Sequence, residues 1–207
     1  MNSIDFYKSY HGHEPRHLQN LTDKFRQHQR NVVWLAGDSS LDNKYWFRET
    51  APACNGYEEL LQPQRSKMDI AYWMNKIISE EYRSKEYVVV NAAVEESTVG
   101  SRSCGRLRKQ DAIIKDNIQP EDYLIVSVGG NDIALSPNLC TVINMLTLVR
   151  CMPTSWVIGS CGVGLPCEEC CCGCGFSCLN TACGCPPGIG YFVHLFKSRI
   201  ETYIKNL

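Results

Sequence analysis

Asn31-Val32-Val33-Trp34-Leu35-Ala36-Gly37-Asp38-Ser39-Ser40-Leu41-Asp42-Asn43 is the stretch on which the reading of this chain turns. Its apolar first half is short enough for a strand covered on both faces, and it stops abruptly at Gly-Asp-Ser. A serine just past such a strand end sits where open α/β sheets place their ligands. A second apolar run, Tyr123-Leu124-Ile125-Val126-Ser127-Val128-Gly129, ends in Gly129-Gly130-Asn131-Asp132. Two parallel strand ends would bring Ser39 and Asn131 to the same edge of one sheet. A hydroxyl beside a side-chain amide donor is half of an acyl-transfer site.

Outward from these runs, the pattern alternates. Residues 1 to 30 are polar and hold four of the five histidines, His11, His13, His17 and His28. A helix is expected over Leu18–Arg30, with Leu18, Leu21 and Phe25 packed on the sheet. Thr50–Gln64, with Pro52, Gly56 and Pro63, reads as a connection. Met68–Lys85 is helical, with Ile70, Trp73, Met74, Ile77, Ile78 and Tyr82 at three- and four-residue spacing as its core face. Tyr87–Val94 is a buried strand, and Ser103–Asn117 a helix with Arg106, Arg108 and Lys109 on a solvated face. Apolar helices follow at Thr141–Val149 and Tyr191–Leu207. Strand, helix, strand, helix, strand gives parallel crossovers, hence a three-layer α/β/α sandwich with a parallel sheet. At 207 residues the chain is expected to form one domain, 1–207, with an N-terminal helical segment over 1–30 and a cysteine-rich insertion over 151–188.

The two motifs resemble those of the SGNH (GDSL-like) hydrolase family. Its first block is Gly37-Asp38-Ser39-Ser40-Leu41-Asp42-Asn43, and its third is Gly129-Gly130-Asn131-Asp132. The resemblance covers roughly residues 30 to 135 and implies a flavodoxin-like fold and a serine esterase. Ser39 is then the nucleophile. The oxyanion donors are the Ser39 backbone N–H, the Asn131 side-chain amide and the backbone N–H of Glu96. Gly37, Asp38, Asp42, Asn43, Gly129 and Asp132 are motif residues with structural roles. The structural alternative for Asn131 is a turn asparagine, which its place after Gly-Gly at a strand end disfavours.

The sequence departs from the family twice. The second block places a glycine after the second strand, where this chain has Glu95-Glu96, and two carboxylates oppose a developing oxyanion unless they point away or are protonated. The fifth block, Asp-x-x-His, carries the base. The sole late histidine is His194, with Tyr191 in the aspartate's position and an apolar helical pattern around it, so it reads as a core or surface residue. Nothing in Met1–His17 is expected to fix His11 or His13 over Ser39 as a substitute.

Ten of the 13 cysteines lie between Cys151 and Cys185. Cys167, Cys170, Cys172 and Cys174 have the CxxC and CxC spacing of a thiolate zinc site. Cysteines beside the apolar segments Val142–Val149 and Trp156–Ser160 also suit acylation and peripheral membrane attachment. A plain Gly/Cys loop is the third reading, and spacing does not choose among them. The formal net charge of -1 gives no nucleic-acid surface. Met1–Lys8 has no basic region followed by an apolar core, which points to a cytoplasmic protein, membrane-associated where its cysteines are acylated.

The function expected is therefore hydrolysis of a small ester or lipid, weak or absent without a base and needing no catalytic cofactor. The alternative is a non-catalytic binding or membrane-attached module of the same fold, with zinc or acyl chains on its cysteines.

Overall fold

The structure, a computed structural model, describes residues 1–82, 86–102, 105–135, 137, 139–158 and 188–207. Their contacts group into two compact units, Met1–Ser97 with Leu107–Ser127 and Leu207, and Thr98–Arg106 with Val128–Asn206. The first unit contains α1 (Ser3–Tyr7), α2 (Pro15–Gln27), β1 (Asn31–Gly37), β2 (Thr50–Pro52), β3 (Arg65–Lys67), α3 (Ile70–Glu80), β4 (Tyr87–Asn91), α4 (Lys109–Asn117) and β5 (Tyr123–Ser127). The second contains α5 (Gly130–Ala134), α6 (Leu139–Leu146), α7 (Thr154–Ile158), α8 (Ile189–Val193) and α9 (Ile200–Asn206). The fold is mixed α/β.

Three parallel strands in the order β4-β1-β5 form the main sheet. Asn31 is paired with Tyr87 and Leu35 with Asn91 on one side of β1, and Val33 with Tyr123 and Gly37 with Ser127 on the other. Val33, Leu35, Val89 and Ala93 pack with Ala71 of α3 on one face. By the alternation of the pleat, Val32, Trp34 and Ala36 point the other way, and all three are buried. Both faces of β1 are therefore covered, which is why its sequence runs apolar without alternation.

Helix α2 buries Leu18, Leu21 and Phe25 as expected, although it starts at Pro15, a residue suited to a first turn. Its last turn is tied to the sheet by Asp122. That carboxylate accepts from both terminal guanidinium nitrogens of Arg26, from the Val32 N–H at 2.8 Å, the Trp34 indole N–H at 3.0 Å and the Gln119 N–H at 3.0 Å. Burial alone would raise its pKa, but these donors together hold it below the usual carboxylate range.

Helix α3 departs from its expected face. Ala71, Tyr72 and Asn75 are buried, with Ile70, Met74 and Ile78 packed on the core, whereas Trp73, Ile77 and Tyr82 are exposed. Two polar contacts set this rotation. Asp69 caps the helix by accepting the Tyr72 N–H at 2.9 Å. Asn75 lies along β4, accepting the Val89 N–H at 2.9 Å and donating to the Val89 carbonyl at 3.0 Å. The Tyr57 hydroxyl donates to that carbonyl too, at 2.8 Å, so side chains take the place of a further strand on the outer edge of β4. Periodicity alone could not see these contacts.

Three other boundaries differ. The expected connection Thr50–Gln64 contains β2, which pairs antiparallel with β3. Strand β4 stops at Asn91, because Asn91 turns its side chain onto the Leu41 carbonyl and the Ala93 N–H. Helix α4 begins at Lys109, where Asp111 accepts the Arg108 N–H, and not at Ser103.

In the second unit, Val99, Tyr191 and Leu195 form a core with Val128, Phe192 and Ile200 against them. The expected C-terminal helix is built from α8, π-helical turns over His194–Arg199, and α9. The Arg102 guanidinium lies 4.8 Å from the Tyr203 ring centroid. Among the described residues no helix is long and apolar enough to cross a membrane.

Replacing Asp122 by Ala should leave the Arg26 charge unpaired and three N–H donors unsatisfied, costing about 3 kcal/mol or more. Urea unfolding at neutral pH would show this as a lower midpoint at unchanged slope. An unchanged midpoint would mean the network is dispensable.

Candidate functional site

Ser39 stands in the turn that leaves the C-terminal end of β1. The turn is this tight because of Gly37, whose φ is 141° and where a Cβ would come within 1.8 Å of the Ser127 carbonyl oxygen. Only glycine permits so close an approach of β1 to β5. Asp38 then accepts the Ser40 N–H at 3.0 Å, while its carbonyl receives the Leu41 and Asp42 N–H groups. No helix follows for Asp38 to cap. The Ser40 hydroxyl donates to Ser127 Oγ at 2.7 Å. Ser39 is half-buried, and no described residue is hydrogen-bonded to its Oγ.

Asp42 is the centre of the loop. Its Oδ2 accepts the Gly12 N–H at 2.7 Å and the Glu95 N–H at 2.8 Å, and its Oδ1 lies 2.5 Å from Lys44 Nζ. Both side chains of this ion pair are buried. Lys67 Nζ donates to the Lys44 carbonyl at 2.9 Å, and Asn43 Oδ1 accepts from the Ile70 N–H at 3.4 Å. One carboxylate thus joins the serine loop, the N-terminal segment and the turn after β4.

That N-terminal segment corrects an expectation. Met1–His17 is held in place. Asn2 bridges to Gln62, the Ser3 N–H donates to the Gln62 carbonyl at 3.0 Å, and Gly12 is bound by Asp42. His13 is buried, stacked on Phe6 at 4.0 Å, and its Nδ1 donates to the Phe6 carbonyl at 2.8 Å. Burial first, then Lys44, lowers its pKa, which keeps the ring neutral. His11 is exposed, with Nδ1 3.4 Å from the Glu95 carbonyl. Neither histidine is hydrogen-bonded to Ser39. The fixing signal was hidden because it comes from backbone groups of Gly12 and Ser3, which carry no side-chain signature.

Glu96, at the expected second oxyanion position, has a φ of 60°, a left-handed conformation that glycine adopts at least cost. Its carboxylate is turned to the Tyr10 hydroxyl, which donates to Oε1 at 2.9 Å. This bond pushes the Tyr10 pKa up to about 12 and keeps the phenol a donor. Glu95 is buried, with burial and then Asp42 raising its pKa.

Asn131 and Asp132 belong to the second unit and are both buried. They open α5, whose preceding residue Gly129 has a φ of 116° and would carry a Cβ only 2.7 Å from the Phe196 ring. Asp132 accepts the Val99 N–H at 2.7 Å and the Gly100 N–H at 2.8 Å, which ties the loop Thr98–Gly100 to α5. His194 is buried in the same unit and its Nε2 accepts from Arg199 Nε at 3.2 Å, so that nitrogen already has a donor.

The proposed thiolates Cys167, Cys170, Cys172 and Cys174 lie outside the described residues. Among the described residues no cluster of three or more metal-ligating side chains occurs. A cavity of about 340 Å³, not foreseen from sequence, is lined in the first unit by Ile4, Tyr7, Lys8, Thr50, Pro63 and Arg65 among others, and by none of the serine-loop residues. Compared with known proteins, the chain matches no family model, no curated protein and no solved structure.

Burial pushes the Asp69 carboxyl up to about 6, against the Tyr72 N–H and Lys44, with Asp42 adding to the rise. The folded state therefore keeps a proton that the unfolded chain gives up near pH 4. Stability present below about pH 4 is lost as the pH rises through 6. Asp69→Asn keeps the helix cap and removes this loss. Between about pH 4 and pH 7 the variant should gain about 3 kcal/mol relative to the parent in urea unfolding. Parallel pH profiles would show that Asp69 is ionised throughout.

Proposed function

We propose that this chain is an SGNH-type serine acyl hydrolase acting on a small ester or lipid, built on a flavodoxin-like three-layer fold. The observation that carries the reading is the location of Ser39. It follows the central strand of a parallel sheet, at the C-terminal edge where such sheets bind ligands, in a turn held from three sides by Asp42.

In this reading Ser39 Oγ attacks the acyl carbonyl, and the ester C–O bond breaks as the tetrahedral intermediate collapses. Water then hydrolyses the acyl-serine. The oxyanion receives the Ser39 N–H, the Asn131 side-chain amide and the Glu96 N–H. The left-handed backbone of Glu96 supports its place in that set, since it is the conformation a glycine there would take. Its carboxylate, bound to Tyr10, is turned toward the phenol. Asp38, Asp42 and Asp132 spend their carboxylates on backbone N–H groups and shape the loops.

Serine is a weak nucleophile until a base takes its proton. Because no described residue accepts from Ser39 Oγ, turnover by this chain is expected to be slow. In a well-studied serine protease, losing the base costs on the order of 10⁶ in kcat. The same observation favours the second reading, a binding module that keeps the fold without the reaction.

Incubation with a short-chain aryl ester and a fluorophosphonate probe separates the two. The hydrolase reading expects slow turnover and labelling, both abolished by Ser39→Ala. Asn131→Ala should cost about 2.7–4 kcal/mol of transition-state stabilisation, a drop of roughly 10²–10³ in kcat. Labelling that survives Ser39→Ala would remove the serine from the mechanism, and absence of any labelling would favour the binding module.

A further inference from the structure

Beside the serine loop, three aromatic rings stand on the surface of the first unit. Tyr10 and Tyr45 have ring centroids 4.9 Å apart at 82°, Tyr45 and Trp46 5.7 Å apart at 89°, and Tyr10 and Trp46 6.3 Å apart at 78°. Three mutually near-perpendicular planes at these separations form the walls of a corner. Tyr45 is 50% exposed and Trp46 65% exposed, which is costly for rings that could have been buried. They are not loose. Tyr10 is held by Glu96, and both Tyr10 and Trp46 interact electrostatically with the Glu95 carboxylate.

Glu95 supplies a second, independent observation. It is only 5% exposed, and its Oε2 is buried without a hydrogen-bond partner among the described residues. Lys44, the cation that interacts with it among the described residues, is already paired with Asp42. A buried carboxylate oxygen without a donor is expensive unless a positive charge comes close. Here that oxygen belongs to the carboxylate that interacts with Tyr10 and Trp46 of the aromatic corner.

We propose that Tyr10, Tyr45, Trp46 and Glu95 form a binding site for an alkylated ammonium group, and, resting on the hydrolase reading above, that the ester cleaved at Ser39 carries this group. The chemistry chooses the ligand. Ring faces attract a cation within about 6 Å of the centroid, and quaternary ammonium groups are bound by such aromatic walls. Glu95 Oε2 is shielded from water, so a cation that needs to donate hydrogen bonds could not reach it. A methylated one has no such need and takes the benefit of the charge through the rings. Asp42, Glu95 and Glu96 against Lys44 leave the neighbourhood net negative, which disfavours an anionic ligand.

The full chain is titrated calorimetrically with choline and with its neutral isostere, 3,3-dimethylbutan-1-ol. Choline should bind at least about fivefold more tightly than the isostere, and Trp46→Ala and Glu95→Gln should each weaken it by about fivefold or more. Trp46 is exposed, so its variant is expected to melt like the parent, and this is checked by circular dichroism. Equal binding of choline and its isostere, or choline affinity untouched by Trp46→Ala, would overturn the site.

The substrate claim is read separately, as kcat/KM for acetylcholine against 3,3-dimethylbutyl acetate. A preference for acetylcholine that Trp46→Ala abolishes supports it. Turnover of both esters without preference overturns the substrate claim and leaves the hydrolase reading standing. Choline binding with no turnover of either ester overturns the hydrolase reading, and the substrate claim with it, and leaves the binding site standing. Phosphatidylcholine vesicles distinguish the source: Trp46-dependent vesicle binding indicates a lipid headgroup, whereas binding of free choline alone indicates a soluble ester.

Discussion

The carboxylate of Asp42 is the point from which the first unit is arranged. It is buried, and burial of a charge is tolerated only when the charge is paired and its lone pairs are filled. Lys44 Nζ provides the pairing, and the N–H groups of Gly12 and Glu95 fill the remaining acceptor sites. Each donor comes from a different part of the chain. Meeting the needs of one anion therefore fixes three segments together, and a change that leaves either Asp42 or Lys44 alone would strand a charge in the interior.

The sheet imposes the second constraint. Strand β1 is bonded on both sides, and its end at Gly37 runs so close to Ser127 that no side chain fits between. The chain has to turn there, and it turns into Asp38 and Ser39. Asp122 does the corresponding work at the other end of β1, where it joins Arg26 of α2 to Val32 and Trp34. The strand is thus held at both ends by carboxylates that bind backbone as well as side chains, and the serine turn inherits that rigidity.

The surroundings of Ser39 are acidic, which bears on both functional proposals. A developing oxyanion is disfavoured by nearby carboxylates, and the arrangement limits this by turning Glu96 to Tyr10. In the hydrolase reading, the same negative field would favour a cationic substrate. A positively charged group held beside the reacting carbonyl would offset part of the repulsion, so the acidic turn that is awkward for a neutral ester is better suited to an ammonium-bearing one.

Sequence by itself determined the parts set by local pattern. The apolar runs of β1 and β4 marked buried parallel strands, because a strand covered on both faces has no polar side to show, whereas the similar run of β5 forms a parallel strand that leaves Tyr123 and Ile125 exposed. The apolar spacing of Leu18, Leu21 and Phe25 marked the buried stripe of α2, and the Gly-Asp-Ser turn marked the strand end. Tertiary structure decided what depends on contacts between distant residues. The face that α3 turns inward follows from Asn75 pairing with Val89, so Trp73 and Ile77 point outward despite their helical spacing. The anchoring of Met1–His17 follows from backbone donors that no residue pattern announces. The meeting of Tyr10 with Tyr45 and Trp46 joins residues some 35 positions apart, and only the folded chain brings them together, because an aromatic ring carries no mark in sequence of the ring it will face.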